Sequence, residues 1–387
     1  MSAPESSSLS PPRASRRLDW LDALRGWAVF GVVLVHSGHL AKSFGFAGQV
    51  SAAGQYGVQL FFLISALTIS MTYESHIGQY GTTPRSQFAW FIKRFFRIAP
   101  LYYLAALFYP VENYAKYIAT RHHLGLQISV PNILANLTFL HTWIPSANNT
   151  VVPGGWSIGV EMFFYGLVPF IWLILPIRRR IAVLLFSIAG LLTITLLVSK
   201  AFTQTYYVED NSYLYYWFPA EAPTIIFGLI FFFLYGKNLG NPISRSATAL
   251  SQIGFVFLLA AGLYVGTVKE LAPVLAPTIL GAAFVLMIFG LQGWMKHIAV
   301  HPLSIFLGRI SFSVYILHFV VLDAMAFVLQ KLHINRSSEL AIIPIAAATL
   351  IITSGLALLS KRIVEDPAIK YGHQLSRQFV LGRTQAH

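Results

Sequence analysis

Apolar runs of about twenty residues recur along this chain of 387 residues and constrain its fold more than any other feature. A transmembrane helix needs ~20 predominantly apolar residues to cross the hydrocarbon core of a bilayer. Ten runs approach this length, near residues 20–41, 56–74, 97–113, 157–176, 181–199, 216–235, 249–266, 273–292, 309–329 and 340–360. The sequence therefore predicts an all-α, polytopic integral membrane protein with about ten transmembrane helices.

The composition agrees with this class, because 56% of the residues are hydrophobic and only 11% are charged. The net charge is +13, but the basic residues form short clusters beside the apolar runs, where positive charge sets membrane topology. We therefore expect the lipid bilayer as a partner and no nucleic acid. A chain without cysteine forms no disulfides and uses no thiolate chemistry.

The basic residues also predict the orientation. With ten spans and a cytoplasmic N-terminus, 19 of the 27 Lys and Arg residues lie on the inner side and seven on the outer side. The short run 131–143 is rich in Asn and is interpreted as re-entrant or interfacial, since counting it as a span would place Arg178–Arg180 outside. Both termini are then cytoplasmic. The predicted organisation is a disordered leader (1–17), a membrane domain (18–373) and a cytoplasmic tail (374–387).

The first apolar run contains three ionisable residues, Asp22, Arg25 and His36. An ionisable group inside a span costs about 3 kcal/mol on insertion scales, so such groups usually face a cavity or a partner. Arg25 and His36 are eleven residues apart, which places them on one face of a helix, roughly 16 Å apart along its axis. Asp22 can pair with Arg25 on the same face. This helix is thus predicted to line a polar cavity with a cation near one end and a titratable base near the other.

Glu161 is the predicted partner of His36. In the ten-span topology both residues lie in the outer part of the membrane at a similar depth. A carboxylate that fixes the tautomer of an imidazole supports general-base chemistry. We therefore expect His36 and Glu161 to be catalytic, and the alternative is that His36 only hydrogen-bonds a neighbouring helix.

A basic cluster, KRFFR at 93–97, precedes the third predicted span. Arg94 and Arg97 are three residues apart and share a helix face, where two guanidinium groups suit a phosphate. The alternative is that the cluster only anchors the helix at the membrane surface.

Further cavity candidates lie in two short motifs. Trp156 and Ser157 follow a pair of glycines, where the tryptophan is either an interfacial anchor or a platform for a sugar, and the serine can cap the helix. Tyr315 and His318 belong to SFSVYILH, where they either line the cavity or pack in the core. No metal-binding, P-loop or dinucleotide motif occurs, so we expect no metal and no permanently bound cofactor.

Six sequence motifs occur in a characteristic order: LDALRG followed by His36, YGVQLFFLISA, KRFFRIAP, WSIGVE, SFSVYILH and VEDP. With these motifs the chain from Leu18 to His373 resembles the membrane acyltransferase type 3 family of bacterial inner-membrane enzymes. The resemblance implies an O-acyltransferase of the bacterial cytoplasmic (inner) membrane. Such an enzyme moves an acyl group, acetyl by default, from cytosolic acyl-CoA to a hydroxyl of a saccharide at the periplasmic or external face.

The resemblance also implies roles for individual residues. His36 matches the catalytic histidine of the family, and Glu161 and His318 match an acid and a histidine of later motifs. Arg94 and Arg97 match the arginine pair implicated in use of the acyl-CoA donor. Arg25 matches the arginine of the family's first helix, and we expect it to line the path of the donor's pantetheine arm. His36 would either activate the acceptor hydroxyl directly or become acylated first.

A transporter or flippase of a lipid-linked sugar is the alternative from a different class. It shares the polar cavity and the charges inside the membrane but does no acyl transfer. Paired repeats or broken helices would favour this alternative, and a requirement for CoA would exclude it.

Overall fold

The computed structural model describes residues 18–43, 45–120, 129–206, 213–238, 241, 243–268, 272–334 and 338–381. Within these ranges the chain forms helices and no strand. The sixteen α-helices of the described ranges are α1 (Asp19–Ala41), α2 (Phe46–Ala52), α3 (Gly57–Tyr80), α4 (Pro84–Thr120), α5 (Val130–Leu137), α6 (Gly155–Ile174), α7 (Arg180–Tyr206), α8 (Tyr213–Tyr216), α9 (Phe218–Tyr235), α10 (Arg245–Gly266), α11 (Ala272–Phe289), α12 (Gly293–Ala299), α13 (Pro302–Arg309), α14 (Ser311–Lys331), α15 (Ile342–Ser360) and α16 (Asp366–Leu381). The predicted leader lies outside the described residues, as do the last six residues of the predicted tail.

Seven stretches of the described chain are long and apolar enough to cross a membrane, and they include α3, α6, α7, α9, α10, α14 and α15. An eighth candidate is the pair formed by α11 and α12, which is bent by 109°. The other two predicted spans lie in α1 and α4, which are long but carry the charged residues of the first run and of the KRFFR cluster. The all-α, multi-pass architecture is therefore confirmed, whereas clear spans number seven or eight in the described ranges and not ten.

Helix α1 lies at the centre of the fold and packs against α3, α13, α14 and α15. It approaches α13 backbone to backbone, because each helix carries a glycine at the crossing. A side chain at Gly26 would overlap the carbonyl oxygen of Ser304, and a side chain at Gly308 would overlap the carbonyl oxygen of Asp22. These two glycines set the distance between the helices, as small residues commonly do in membrane proteins. They thereby fix where α1 presents its ionisable side chains.

The segment 131–143 does not form a span. It begins with α5, whose eight residues are too few to cross a bilayer. Its two asparagines are buried and brace the loop before α6, since Asn132 donates to the carbonyl of Ser146 (2.7 Å) and Asn136 to that of Ala147 (3.2 Å). The polar composition of this segment therefore serves its packing.

His141 ties the same segment to the start of α6. Its side chain is fully buried, and its Nε2–H donates to the carbonyl oxygen of Gly155 at 2.9 Å. The imidazole also stacks on Tyr102 of α4, with ring centres 5.9 Å apart. Burial lowers the pKa of His141 to about 4, so the ring is neutral at pH 7.

Replacing Gly308 by alanine is expected to destabilise the fold by ~1–3 kcal/mol, because the added methyl group forces α13 away from α1. Thermal unfolding of the purified protein in detergent measures this change. Gly355→Ala is the matched control, since a methyl group added to Gly355 in α15 meets no atom within 4 Å. Equal melting temperatures for the two variants would contradict the close crossing.

The segment around His141 is expected to lose protection from hydrogen exchange as the pH falls. The unfolded imidazole has a pKa near 6.5 and the folded one a pKa of about 4, so its stabilisation is complete above pH 6.5 and is lost toward pH 4. The full loss is on the order of 3 kcal/mol. His141 is the only titratable residue between residues 129 and 155, which isolates its effect.

Hydrogen–deuterium exchange at pH 7 and pH 4.5, corrected for the intrinsic exchange rates, tests this expectation. Helix α10 contains no histidine and serves as the internal reference. If the segment kept the same protection at both pH values, the buried neutral state of His141 would not stabilise it.

Candidate active site

Helices α1, α3, α4, α6 and α14 enclose a cavity of about 590 Å³, its open mouth included. Five of the site residues predicted from the sequence line it: Arg25, Arg97, Ser157, Glu161 and Tyr315. The polar residues that the structure adds to this lining are Ser65, Tyr165 and Ser311. The rest of the wall is aromatic and aliphatic. A few convergent polar groups in an apolar wall are typical of a small-molecule site.

Glu161 is the only carboxylate that lines the cavity among the described residues. One carboxylate oxygen, Oε1, accepts hydrogen bonds from the Ser65 hydroxyl (2.9 Å) and from the Tyr165 hydroxyl (2.6 Å). Tyr165 lies four residues after Glu161 and therefore on the same face of α6. The two hydroxyl donors hold the carboxylate in one orientation and leave the second oxygen to face the cavity or a ligand.

Arg25 is held at the cavity wall by contacts with two helices. Its guanidinium donates to the Thr68 hydroxyl of α3 at 2.9 Å and lies 3.5 Å from the carboxylate of Asp22, one turn earlier in α1. Asp22 also lies 3.5 Å from Arg309 of α13. The predicted pairing of Asp22 with Arg25 is therefore present, and Asp22 connects Arg25 to a second arginine.

Arg94 and Arg97 have different surroundings. Arg94 donates to the Thr72 hydroxyl at 2.5 Å and lies over the ring of Trp90, 5.7 Å from its centre. Arg97 is exposed and lines the cavity, and it has no hydrogen-bond or ion-pair partner among the described residues. The cavity thus contains two guanidinium groups and one carboxylate, which favours an anionic ligand.

His36 lies beside His318, which the sequence alone did not assign to either the cavity or the core. Their ring centres are 5.2 Å apart, and Phe319 packs 4.5 Å from the His36 ring. His318 is fully buried, and its Nδ1–H donates to the carbonyl oxygen of Tyr315 at 2.7 Å. The Nε2 atom of His318 is consequently an acceptor, and it has no hydrogen-bond partner among the described residues.

Tyr315 connects the histidines to the cavity. Its hydroxyl donates to the carbonyl oxygen of Gly154 (2.9 Å) and accepts from the Ser157 hydroxyl (2.8 Å). Gly154 has φ +73°, a conformation that favours glycine, and it turns the chain into α6. The structure therefore places a histidine layer (His36 and His318) next to an arginine layer (Arg25, Arg97 and Glu161), with Tyr315 between them.

This arrangement differs from the predicted pairing of His36 with Glu161. The described contacts of Glu161 are with Ser65 and Tyr165, and the ring contacts of His36 are with His39, His318 and Phe319. The prediction placed both residues at one depth because Glu161 is close to the start of its apolar run. In the structure it lies beyond the layer of Ser157 and Tyr315, on the side of the arginines.

Five predicted site residues are not among those that line the cavity: Asp22, His36, Arg94, Trp156 and His318. Trp156 is 5% exposed and packs in the core against Phe62 and Tyr216, and its role as an anchor or a sugar platform stays a prediction. Asp22 is likewise buried, because it binds the arginines described above. Sequence reasoning also missed Tyr165, although its position one turn after Glu161 is a readable signal.

The site can combine anion binding with proton transfer. The arginine layer can hold a negatively charged group, and the histidine layer offers a neutral imidazole as a base. Among the described residues, no group of three or more His, Cys, Asp or Glu side chains is placed to hold a metal ion.

Residues 18–360 match a family described as an acyltransferase domain. The chain is 25% identical over 386 residues to O-acetyltransferase OatA of Staphylococcus aureus strain NCTC 8325, across 92% of this chain and 58% of that protein. The same protein of strains COL and MRSA252 matches with the same identity and coverage. The chain therefore spans less than two thirds of the length of these relatives. No solved structure matches it.

Proposed function

The chain belongs to the acyltransferase family that its residues 18–360 match, and on this premise we propose that it is a membrane-embedded, acyl-CoA-dependent O-acyltransferase. The acyl group is acetyl, the donor is cytosolic acetyl-CoA, and the acceptor is a hydroxyl of a saccharide at the periplasmic or external face. The O-acetyltransferase name of the S. aureus relatives supports the choice of acetyl.

The observation that carries this proposal is the adjacency of the arginine layer and the histidine layer. Arg97 is exposed in the cavity, where the carboxylate of Glu365 interacts with it electrostatically without a close ion pair, so its guanidinium is available to a phosphate of the donor. Arg25 and His36 are eleven residues apart on α1, about 16 Å along the axis. An extended pantetheine arm that passes Arg25 therefore brings its thioester toward His36.

The proposed role of His36 is general-base catalysis. A ring nitrogen of His36 accepts the proton of the acceptor hydroxyl, while the His36 ring packs against His318 with ring centres 5.2 Å apart. The hydroxyl oxygen attacks the thioester carbonyl as His36 takes its proton. The C–S bond then breaks, and the proton passes to the departing CoA thiolate.

A variant of this mechanism acylates His36 first and then passes the acyl group to the hydroxyl. In both versions Glu161 acts from the arginine layer. Its carboxylate, held by Ser65 and Tyr165, balances the charge of Arg25 and Arg97 while the donor enters and leaves.

We extend the proposal to the topology. Helices α1 and α4 complete ten spans when they are added to the seven clear spans and to the bent pair of α11 and α12. Both termini are then cytoplasmic, and the mouth beside Arg97 opens to the cytosol of a bacterial inner membrane. The excess of basic residues on this side, 19 against seven, supports that orientation.

The bent pair of α11 and α12 is a broken helix of the kind that would favour a transporter. None of the residues lining the cavity comes from α11 or α12, so the break is remote from the polar groups. Membership of an acyltransferase family also favours transfer chemistry over transport.

Replacing His36 by alanine is expected to lower acyl transfer by at least ~10²-fold, because a general base contributes about that much or more. The assay supplies radiolabelled acetyl-CoA to membranes that contain the protein and measures base-labile acetate on the saccharide fraction. His297→Ala is the matched control, since His297 is exposed in α12, outside the cavity lining. Full transfer by a folded His36→Ala variant would contradict the mechanism, and transfer no higher than in membranes without the protein would contradict the function.

A further inference from the structure

A group of basic residues outside the cavity has no place in the mechanism above. Lys93 on α4 and His373 and Arg377 on α16 interact electrostatically with one another and with Arg94. We call Lys93, His373 and Arg377 the α16 cluster. His373 and Arg377 are exposed, whereas Lys93 is half-buried.

The α16 cluster is built by the antiparallel packing of α16 on α4. Phe88 contacts Phe379, and Phe96 contacts Tyr371, with ring centres 5.0 and 5.2 Å apart. A side chain at Gly372 would clash with Phe96, so the two helices meet closely at that point. Lys93 and Arg94 lie between these two ring contacts on α4 and therefore face the middle of α16.

The two basic residues of α16 share one face of that helix, since His373 and Arg377 are four residues apart. Burial and the charges of Lys93, Arg94 and Arg377 lower the pKa of His373, so at pH 7 it is a neutral hydrogen-bond donor and Arg377 is the cation. The direct contacts of Lys93 are with Nδ1 of His76, 3.4 Å from its Nζ, and with the ring of Tyr80, 5.3 Å away. No carboxylate contacts Lys93 among the described residues. Burial lowers the pKa of Lys93, and the nearby Arg94 and Arg377 lower it further.

The positive charge of half-buried Lys93 is repelled by Arg94 and Arg377, and no carboxylate contacts Lys93 among the described residues to offset this, so the arrangement favours a bound anion. Arg94 also favours a bound anion, because its Nε is buried and has no hydrogen-bond partner in the described part of the chain. An anchor at the membrane surface would not need this geometry, since basic anchors commonly extend their charges into water.

The α16 cluster is continuous with the cavity. Lys93 precedes Arg97 by four residues, about 6 Å along α4. Arg94 lies between them, so cations line a path from α16 to the cavity mouth. A ligand that carries two separated phosphate groups can therefore contact both ends of this path.

We propose that the α16 cluster binds the 3′-phosphate of the CoA donor, while Arg94 and Arg97 contact its diphosphate. This inference rests on the proposed function, and it assigns a substrate-binding role to α16, which lies beyond residue 360, the last residue of the family match. A phosphate monoester is the group with the highest charge in CoA, and it offers three acceptor oxygens to surrounding N–H donors. The head group of an anionic phospholipid has related chemistry and is the competing occupant.

The test compares binding of acetyl-CoA with binding of 3′-dephospho-acetyl-CoA. The full chain is purified in detergent, and dissociation constants are measured for the wild type, Lys93→Gln, Arg377→Gln and the control Arg178→Gln. Arg178 is an exposed basic residue between α6 and α7, away from α16. The wild type and the control should bind acetyl-CoA about tenfold or more tightly than the dephospho ligand, as expected for charged hydrogen bonds.

Both cluster variants should lose this preference by binding acetyl-CoA more weakly while the affinity for the dephospho ligand stays unchanged. Arg377→Gln decides the result if Lys93→Gln lowers the yield of folded protein, because the Arg377 side chain is exposed. Arg377→Lys should restore part of the preference, since it keeps the positive charge.

Three outcomes would overturn the inference. In the first, the wild type binds the two ligands equally; in the second, Arg377→Gln keeps the wild-type preference. In the third, Arg377→Gln reduces co-purified phosphatidylglycerol and leaves both affinities unchanged, which assigns the cluster to lipid. The proposed function fails separately if the folded wild type binds neither ligand. If binding is lost only in an Arg94→Ala, Arg97→Ala double variant, the cavity arginines bind the donor and the α16 cluster does not.

Discussion

The close contact of α1 with its neighbours is the constraint on which the rest of this structure depends. Gly26 and Gly308 bring α1 and α13 together backbone to backbone, and a side chain at Gly54 would overlap the carbonyl oxygen of Gly31. Contacts of this kind fix both the depth and the rotation of a helix, because a shift in either brings a side chain into the gap. Since α1 carries the first cavity arginine and the candidate base, these glycines position the chemistry without touching it.

In the proposed mechanism, the two layers of polar groups have different tasks. In one layer a single carboxylate, Glu161, lies with Arg25 and Arg97, and the net positive charge favours an anionic ligand. In the other layer His36 and His318 form a neutral pair in an apolar environment, where proton transfer is favoured over ion binding. Separating anion binding from proton transfer keeps the base away from the cations, which would otherwise oppose its protonation.

Much of this arrangement can be read from the sequence. Ionisable residues stand out against apolar runs, so Arg25, Arg97 and Glu161 were identified, and the structure places all three in one cavity. The lengths of the apolar runs also identified eight of the ten predicted spans as helices that are apolar enough to cross a membrane, if the bent pair is counted as one span.

The pairing of His36 was not predictable in the same way. An apolar helix such as α14 has no polar face to indicate its rotation, so nothing in the sequence brings His318 to α1. The contacts of Glu161 were not predictable either, since its described hydrogen bonds are with Ser65 and Tyr165 and none joins it to His36. Close crossings are equally hidden, since Gly355 and Gly308 are both glycines in helices and only Gly308 contacts another backbone.

The central claim is that acyl-CoA occupies the cavity beside Arg97 and Glu161. The chain has no cysteine, so a single Ser65→Cys substitution introduces a unique thiol at the cavity wall. The decisive measurement is the rate at which a membrane-impermeant maleimide labels this thiol in inside-out vesicles, with and without saturating acetyl-CoA. Ser246→Cys, at an exposed position of α10, is the reference. Acetyl-CoA should slow labelling at position 65 and leave position 246 unchanged, whereas equal rates at position 65 would contradict the account.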